Sequence, residues 1–484
     1  MLVLALDVGT SSTRASCFDA AGRPLPEAEG RVGYAARVAP DGEVVLEPDT
    51  LVDAVASAVD QALAGAGARA REIAGVGASV FWHSLLALDD ARRPLLPVLT
   101  WADTRSAEAA AELRARLDGA AVHARTGALL HASYYPARLR WLRERHADLF
   151  ARATVWCGFA EYLLWRLTGV LRASVSMASG TGLFDQDRVA WDVPLLAESA
   201  IDAARLPPVD DAPAPGLTPE WAARWPALAR VPWFPGWGDG ACSNLGSDAA
   251  GPDRIALNVG TSAALRLVLS DVPTVPKGLW RYRIDAERAL VGGATSEGGN
   301  VLTWCRELLA LPDGDALERR LATRAPDEHG LTVLPFLAGE RSPGWRGDAR
   351  ATITGLSLAT DALDIGAALL EAVALRLSIV HERLAPLAAA NHRVIASGGA
   401  LLHSPAWARM IADAFGRPLT LSREAEASSR GAALRVLEAL GAPPPPPAPL
   451  GAPVTPDPTR HAAFRAARDR QQRLYDNVVG SPLS

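Results

Sequence analysis

Leu2-Val3-Leu4-Ala5-Leu6-Asp7-Val8-Gly9-Thr10-Ser11-Ser12-Thr13-Arg14 is the stretch whose reading decides the fold. Its apolar run has the length of a strand and stops at Asp7. Gly9 follows, then the hydroxyls of Thr10, Ser11 and Ser12, and Thr13–Phe18 predicts a returning strand. Glycine lets the chain turn tightly and lets an oxyanion approach the main chain without meeting a Cβ. Turn N–H groups together with Thr and Ser hydroxyls can cradle a phosphate. Asp7 would repel that phosphate unless a divalent cation lay between them, and a strand-end carboxylate beside such a turn suits a magnesium nucleotide. Taken alone, the stretch is equally compatible with an ordinary β-hairpin.

The chain repeats it. Leu257-Asn258-Val259-Gly260-Thr261-Ser262 matches Leu6-Asp7-Val8-Gly9-Thr10-Ser11 at every position but the acid, and a second apolar run follows to Leu265. Two copies about half a chain apart predict two domains of like architecture, each offering a phosphate turn to one ligand. Asn258 stands where the first copy has Asp7, so the metal is expected on one side only.

Composition excludes several classes. At 484 residues the chain is too long for one core and fits two domains of roughly 200–250 residues. Net charge is −5 with no long basic block, which argues against nucleic acid as a partner. The four cysteines (Cys17, Cys157, Cys242, Cys305) are far apart, as suits a reducing cytosol rather than a zinc site. The N-terminus has no basic n-region, so no signal peptide and a cytoplasmic location are expected. Glu371 and Arg376 interrupt the most apolar long window, Ala367–Val380, so no membrane span is expected. Lys277 is the sole lysine, which excludes both a G-x-x-x-x-G-K-[ST] loop and the lysine of a protein-kinase fold. A nucleotide must therefore be held by backbone amides, hydroxyls, arginine and metal.

Further along, Pro48–Ala64 has helical spacing, and Ile73–Ser79 predicts a buried strand. Trp82 and His83 follow it, where open α/β sheets place ligands, although a lone histidine is more often structural. Trp101, Asp103 and Arg105 then offer a ring face with fixed donors and acceptors, a set suited to a polyhydroxylated ligand. Asp103 or Thr104 also suits the cap of the helix Ala107–Leu117. Ser174–Phe184 is expected to be an extended loop, and Pro207–Pro235 an irregular connection on the surface. Asp239, between Gly238 and Gly240 ahead of a helix, is a candidate general base or an N-cap. Val333–Leu337 predicts a strand, Ala362–Leu384 a long amphipathic helix, and Val394–Ser397 a strand into Gly398-Gly399-Ala400. The helix Pro405–Phe415 follows, then Ser428–Leu440 with a serine cap, and the proline run Pro443–Pro447 precedes a docked helix over Pro458–Asn477.

These residues resemble the FGGY carbohydrate kinases over nearly the whole chain. Asp7–Arg14 is similar to the first phosphate motif, Gly238-Asp239-Gly240 to the catalytic-aspartate motif, and Gly260-Thr261-Ser262 to the second phosphate motif. Ser397-Gly398-Gly399-Ala400 resembles the adenosine motif, with His403 at an adenine-facing place, and Gly339-Glu340-Arg341-Ser342-Pro343 stands before it. The resemblance implies an α/β fold of two actin-like (ribonuclease H-like) ATPase domains flanking a catalytic cleft. It implies an N-terminal domain over residues 1–246, a C-terminal ATP-binding domain over 247–442, and a Pro-rich linker and terminal helix over 443–484.

Within the family the likeness is to gluconate kinases, through His83-Ser84-Leu85, Thr100–Arg105, Ala178–Phe184 and Asn244-Leu245-Gly246. Those kinases usually carry Met at Trp82 and a neutral residue at Glu297. The implied chemistry is transfer of the γ-phosphoryl group of ATP to a primary hydroxyl of D-gluconate, with Asp239 as base and Asp7 and Asp239 at Mg²⁺. Gly9, Thr10, Ser11, Ser12, Arg14, Gly260, Thr261, Ser262, Gly298, Gly299, Gly398, Gly399, Ala400 and His403 would contact nucleotide. Trp82, His83, Trp101, Asp103 and Arg105 would bind the sugar acid, with Arg105 or His83 facing its carboxylate unless Arg105 is tied up by Asp103. A monomer or homodimer with no nucleic-acid or membrane partner is expected. A xylulose-type pentulose kinase and a non-catalytic, ATP-switched actin-like binding protein remain as alternatives.

Overall fold

A computed structural model describes residues 1–272, 274–312 and 314–480. Its contacts define two compact units: Met1–Asp248 with Arg281–Leu290 and Glu426–Pro447, and Ala249–Trp280 with Val291–Ala425 and Ala448–Ser484. The units are therefore not two uninterrupted halves of the chain.

In the first unit, β1 (Leu2–Val8), β2 (Ser12–Asp19), β3 (Pro24–Gly33), β4 (Ile73–Val80) and β5 (Trp237–Gly238) stand in the order β5-β4-β1-β2-β3. β1 is antiparallel to β2 and parallel to β4, which is parallel to β5. The second unit has β6 (Arg254–Val259), β7 (Ala263–Leu269), β8 (Ala289–Thr295), β9 (Arg393–Ser397) and β10 (Leu419–Ser422) in the order β8-β7-β6-β9-β10, with β11 (Leu450–Val454) outside β10. β6 is antiparallel to β7 and parallel to β9, and β9 is parallel to β10. The same topology thus occurs twice, as the repeated turn predicts, and it is the actin-like, ribonuclease H-like arrangement that the family resemblance implies.

Central β1 is buried along almost its whole length, which is why it reads as a continuous apolar run rather than an alternating one. The helix Pro48–Ala66 starts with Pro48 in its first turn and ends at Gly67, whose φ is +54°. It lies so close to β3 that a Cβ on Gly30 would overlap the Ala58 carbonyl. On the other face, Gly75 and Gly77 let Val436 of the helix Ala427–Ala439 sit directly on β4. That helix crosses the helix Asp239–Gly246 through glycines on both sides: a Cβ on Gly246 would overlap the Ala427 carbonyl, and one on Gly431 the Cys242 carbonyl. Val3, Ala5, Phe18, Trp237, Cys242 and Val436 fill the layer between.

Several elements differ from expectation. Ser174–Phe184 contains a short buried helix, Val175–Ser179, whose N-cap Ser174 Oγ accepts the Met177 N–H. The hydroxyls of Ser179 and Thr181 donate to carbonyls three residues back, so a polar composition here does not mean exposure. Pro207–Pro235 contains the helix Pro219–Arg224 and buries Trp221, Trp225 and Trp233 in a stack, because indole rings of that size are covered wherever they can be. Ala362–Leu384 is a helix with the expected ends, but it is buried nearly all round instead of amphipathic. Its two most buried ionisable groups near the middle have partners: Glu371 Oε2 lies 3.1 Å from His329 Nε2, and Arg376 is ion-paired with Glu340. The helix expected at Ser428 starts at Ala427 with Glu426 as N-cap and no side-chain cap bond. The strand expected over Val333–Leu337 is only Thr332–Leu334. Among the described residues no helix is long and apolar enough to cross a membrane.

Gly431→Ala forces a Cβ into the Cys242 carbonyl. It is expected to lower the unfolding free energy of the first unit by about 1–3 kcal/mol, read as a lower urea midpoint at unchanged m-value. An unchanged midpoint would show that these helices can separate at no cost.

Candidate active site

The ends of the three parallel strands of the first unit lie in one row. Asp7 pairs with Ser79, Ser79 with Trp237, and Val80 with Gly238. Ligands of open α/β sheets collect at such carboxyl ends. Ser79 Oγ donates to Asp7 Oδ1 at 2.8 Å. The second unit repeats the device: Asn258 pairs with Ser397, and Asn258 Nδ2 donates to Ser397 Oγ at 3.1 Å. In both units the residue at the acid position is therefore held by a serine on the parallel neighbour.

The two turns, near-identical in sequence, close differently. Gly9 N donates to Ser12 O, leaving Thr10 and Ser11 at the tip, whereas Gly260 N donates to Ser262 O and leaves Thr261 alone there. Tyr34 braces the first turn: its hydroxyl donates to Gly9 O at 2.7 Å, and its N–H donates to Ser11 O. The Gly9 amide and carbonyl are thus used inside the turn. Arg14, opposite Asp7 in the ladder, is ion-paired with Glu29 and Glu426.

Asp239 is the first residue of its helix, with Gly238 as N-cap, and its Oδ1 accepts the Gly240 N–H at 2.8 Å. It therefore sits in the first turn rather than at the cap, where a helix N-terminus favours negative charge. Burial, and secondarily the charge of Asp239, push Asp7 up from 3.8 to about 6, against the lowering pull of Ser79 and Arg14. Burial and then the same two carboxylates also push the Cys242 thiol up. Asp7 and Asp239 accordingly share one electrostatic neighbourhood.

His83 follows β4 in a left-handed conformation, φ +62°. Its Nδ1 is 2.7 Å from the Gly180 carbonyl. A carbonyl only accepts, so Nδ1 carries a proton. The backbone here is held by Arg138, which sequence reading did not single out. Its fully buried guanidinium donates to the carbonyls of His83, Thr100 and Ala132. Burial pulls its pKa down to about 10, so it stays charged at neutral pH. Nothing in the helical stretch around Arg138 marks it, because its partners are main-chain carbonyls and two of them, at His83 and Thr100, are far away in sequence.

Trp101 is 37% exposed and Asp103 is 3% exposed. Arg105 donates to Asp103 through Nε and Nη2, the latter at 2.7 Å, and to Glu43 Oε1 at 2.9 Å, and it lies over the Trp141 ring. Asp103 also accepts the Val44 N–H. The Asp103–Arg105 pair thus fastens this segment to the strand around Val44, which is the structural alternative considered above. Trp82 is buried, and its Nε1 donates to Ser176 O at 3.0 Å.

In the second unit three glycine turns pack on one another. Gly299 N donates to Gly260 O at 2.7 Å, and Asn300 N donates to Thr261 O. A Cβ on Gly298 would run into the Ser262 main chain, and one on Gly299 would lie 3.2 Å from Ala400 Cβ. Gly398, at φ +103°, abuts the Val259 carbonyl. Gly298, Gly299 and Gly398 therefore bring their main chain directly onto the Val259–Ser262 turn, with Ala400 beside Gly299. His403 is exposed at the end of the short helix after Gly398, with Nδ1 2.7 Å from Gly399 O. Glu297, just before Gly298, is buried, and burial raises it to about 8.

Comparison with known proteins places this geometry. The chain matches the FGGY family of carbohydrate kinases, the N-terminal domain over residues 2–246 and the C-terminal domain over 255–439. It is 28% identical over 453 residues to the gluconokinase of Bacillus licheniformis, covering 91% of this chain and 88% of that one. A ligand-bound xylulose kinase from Lactobacillus acidophilus superposes with a TM-score of 0.91 at 25% identity, and a gluconate kinase from the same organism with 0.90 at 25%, each over 99% of both chains. The chain belongs to the FGGY family of carbohydrate kinases. It is a sugar kinase with ATP as phosphoryl donor.

The raised pKa of Asp7 has a measurable sign. Its folded value lies above its unfolded one, so the stability contributed by the protonated form is full below about pH 4 and is lost as pH rises through about 6. Asp7→Asn should therefore stabilise the nucleotide-free protein more at about pH 8 than at about pH 4. A pH-independent effect in denaturant titrations would contradict the assignment.

Proposed function

We propose that the protein phosphorylates the primary hydroxyl of D-gluconate, giving 6-phosphogluconate. Asp239 receives the hydroxyl proton as the acceptor oxygen bonds to the γ-phosphorus; the bond to the β-γ bridging oxygen breaks and its electron pair leaves with ADP. Such transfer depends on positioning and electrostatics more than on covalent chemistry. The observation that carries the reading is Asp239 at the head of its helix, in the charge neighbourhood of Asp7 and one residue beyond the strand row.

A carboxylate pushed toward protonation by burial and by a neighbouring carboxylate fits a divalent cation. Asp7 and Asp239 would hold Mg²⁺, whose charge would offset that of the phosphates. No group of three or more His, Cys, Asp or Glu is arranged for a metal among the described residues, so water and phosphate oxygens would complete its shell. Thr10, Ser11, Thr261 and Ser262 would meet β- and γ-phosphates, while Gly398, Gly399, Ala400 and His403 would border the adenosine. Trp101 would offer a ring face to the acceptor, and His83, held by Gly180 O through Nδ1, would stand beside it.

Support for gluconate comes from the gluconokinase relative, whose match spans most of both chains. A second reading, a neutral ketose, is favoured by Arg105, whose guanidinium is engaged by Asp103 and Glu43.

Asp239→Asn is expected to keep fold and ATP binding while losing turnover by about 10²–10⁴; near-normal turnover would remove the base role. For the acceptor, kcat/KM is compared for D-gluconate, D-xylulose and glycerol. A preference of about tenfold or more for a neutral acceptor, some 1.4 kcal/mol, would overturn the gluconate assignment. Arg105→Ala should then lower activity on all acceptors alike, whereas a selective loss on gluconate would restore it as a carboxylate ligand.

A further inference from the structure

Gly238 and Gly180 have backbone conformations open to any residue, φ −63°, ψ 138° and φ −82°, ψ −2°. Their lack of a side chain therefore has another cause. A Cβ on Gly238 would overlap Trp82 Cε2, and one on Gly180 would lie 2.6 Å from Trp82 Cδ1. The indole rests directly on both main-chain segments, one of which is the residue before Asp239. Its N–H is taken by Ser176 O, and Ser176 Oγ in turn accepts the Gly238 N–H at 3.1 Å. Trp82 and Gly238 thus meet twice, through ring contact and through Ser176.

Tyr282 also bears on Trp82. Its ring centre lies 5.0 Å from that of Trp82 and 5.4 Å from that of His83, and its hydroxyl is 2.5 Å from Tyr134 Oη. Tyr282 is 1% exposed and Trp82 5%. The strap carrying Tyr282, Arg281–Leu290, belongs to the first unit. Main-chain bonds anchor it on both sides of the tyrosine: Arg281 N to Gly127 O at 2.8 Å, and Arg283 N to Ser179 Oγ at 2.8 Å. Farther along, Arg288 and Asp285 are ion-paired with Glu438 and Arg435.

We propose that Trp82, held in place by Tyr282, is a positioning residue for the general base, fixing the Gly238–Asp239 peptide, rather than a residue that binds the sugar. This rests on the assignment of Asp239 as base. Misplacing a base raises the barrier of the chemical step without weakening acceptor binding, so the effect belongs in kcat.

The test uses the full-length enzyme with MgATP and whichever of D-gluconate, D-xylulose and glycerol it turns over fastest, with thermal melting to confirm folding. Trp82→Leu should lower kcat by about tenfold or more with acceptor KM changed less than about threefold. Tyr282→Ala should do the same, and Tyr282→Phe, which keeps the ring, should recover most of the loss. Gly238→Ala should be severely impaired, and adding Trp82→Leu should restore at least about tenfold of its kcat, a coupling expected only of groups in contact. A rise in KM at unchanged kcat in Trp82→Leu, or a Gly238→Ala defect indifferent to residue 82, overturns the proposal. Should Trp82→Leu fail to fold, Trp82→Phe in the same pairing decides by the same coupling. Full turnover in Asp239→Asn would instead remove the base assignment itself, so the two failures are distinguishable.

Discussion

The parallel pairing of β1 with β4, and of β6 with β9, is the constraint on which the site depends. It sets a serine beside the residue that ends each central strand: Ser79 at Asp7 and Ser397 at Asn258. A carboxylate at a buried strand end needs a donor, since an unsatisfied polar group in such a place costs about 1–3 kcal/mol. Ser79 supplies one, yet burial still outweighs it and Asp7 is left near the middle of its titration at mildly acidic pH. The second unit has an amide in the equivalent position, so it carries no such charge.

Around this end the first unit uses main chain as scaffold and a few large side chains as fasteners. Arg138 gathers the carbonyls after β4, before Trp101 and at Ala132 onto one buried cation. An isolated buried charge is costly, and several aligned carbonyl dipoles offset that cost here. Trp82 fills the space that Gly180 and Gly238 leave open. The glycines of the second unit serve a different purpose, since Gly298, Gly299 and Gly398 bring main chain onto main chain.

The acceptor side is where likeness to relatives is least decisive. A gluconokinase, a gluconate kinase and a xylulose kinase all align over most of the chain. What separates acid from neutral acceptors is a fixed cation. The arginine expected in that role, Arg105, is paired with Asp103 and Glu43 at hydrogen-bond distance, and exchange of an internal carboxylate for a substrate carboxylate would have to be nearly balanced.

The sequence by itself determined the double architecture, because strand, Gly-Thr-Ser turn and returning strand are local events governed by apolar runs and turn chemistry. It also marked Asp239 and the glycine turns of the second unit, because Gly-Asp-Gly ahead of a helix and paired glycines after a strand are local patterns. The ends of Ala362–Leu384 and Pro405–Phe415 were legible for the same reason. Tertiary structure alone decided what each conspicuous residue touches. The two matching turns close one residue apart, Arg105 is bound to Asp103, and Trp82 lies on Gly238 rather than standing open. Arg138 and Tyr282 were invisible in the sequence, since each touches residues remote from it: Arg138 the carbonyls of His83 and Thr100, and Tyr282 the rings of Trp82 and His83. Burial decided the rest: an apolar helix surrounded on all sides and a stack of tryptophans under a proline-rich connection look polar or amphipathic only until their neighbours are known.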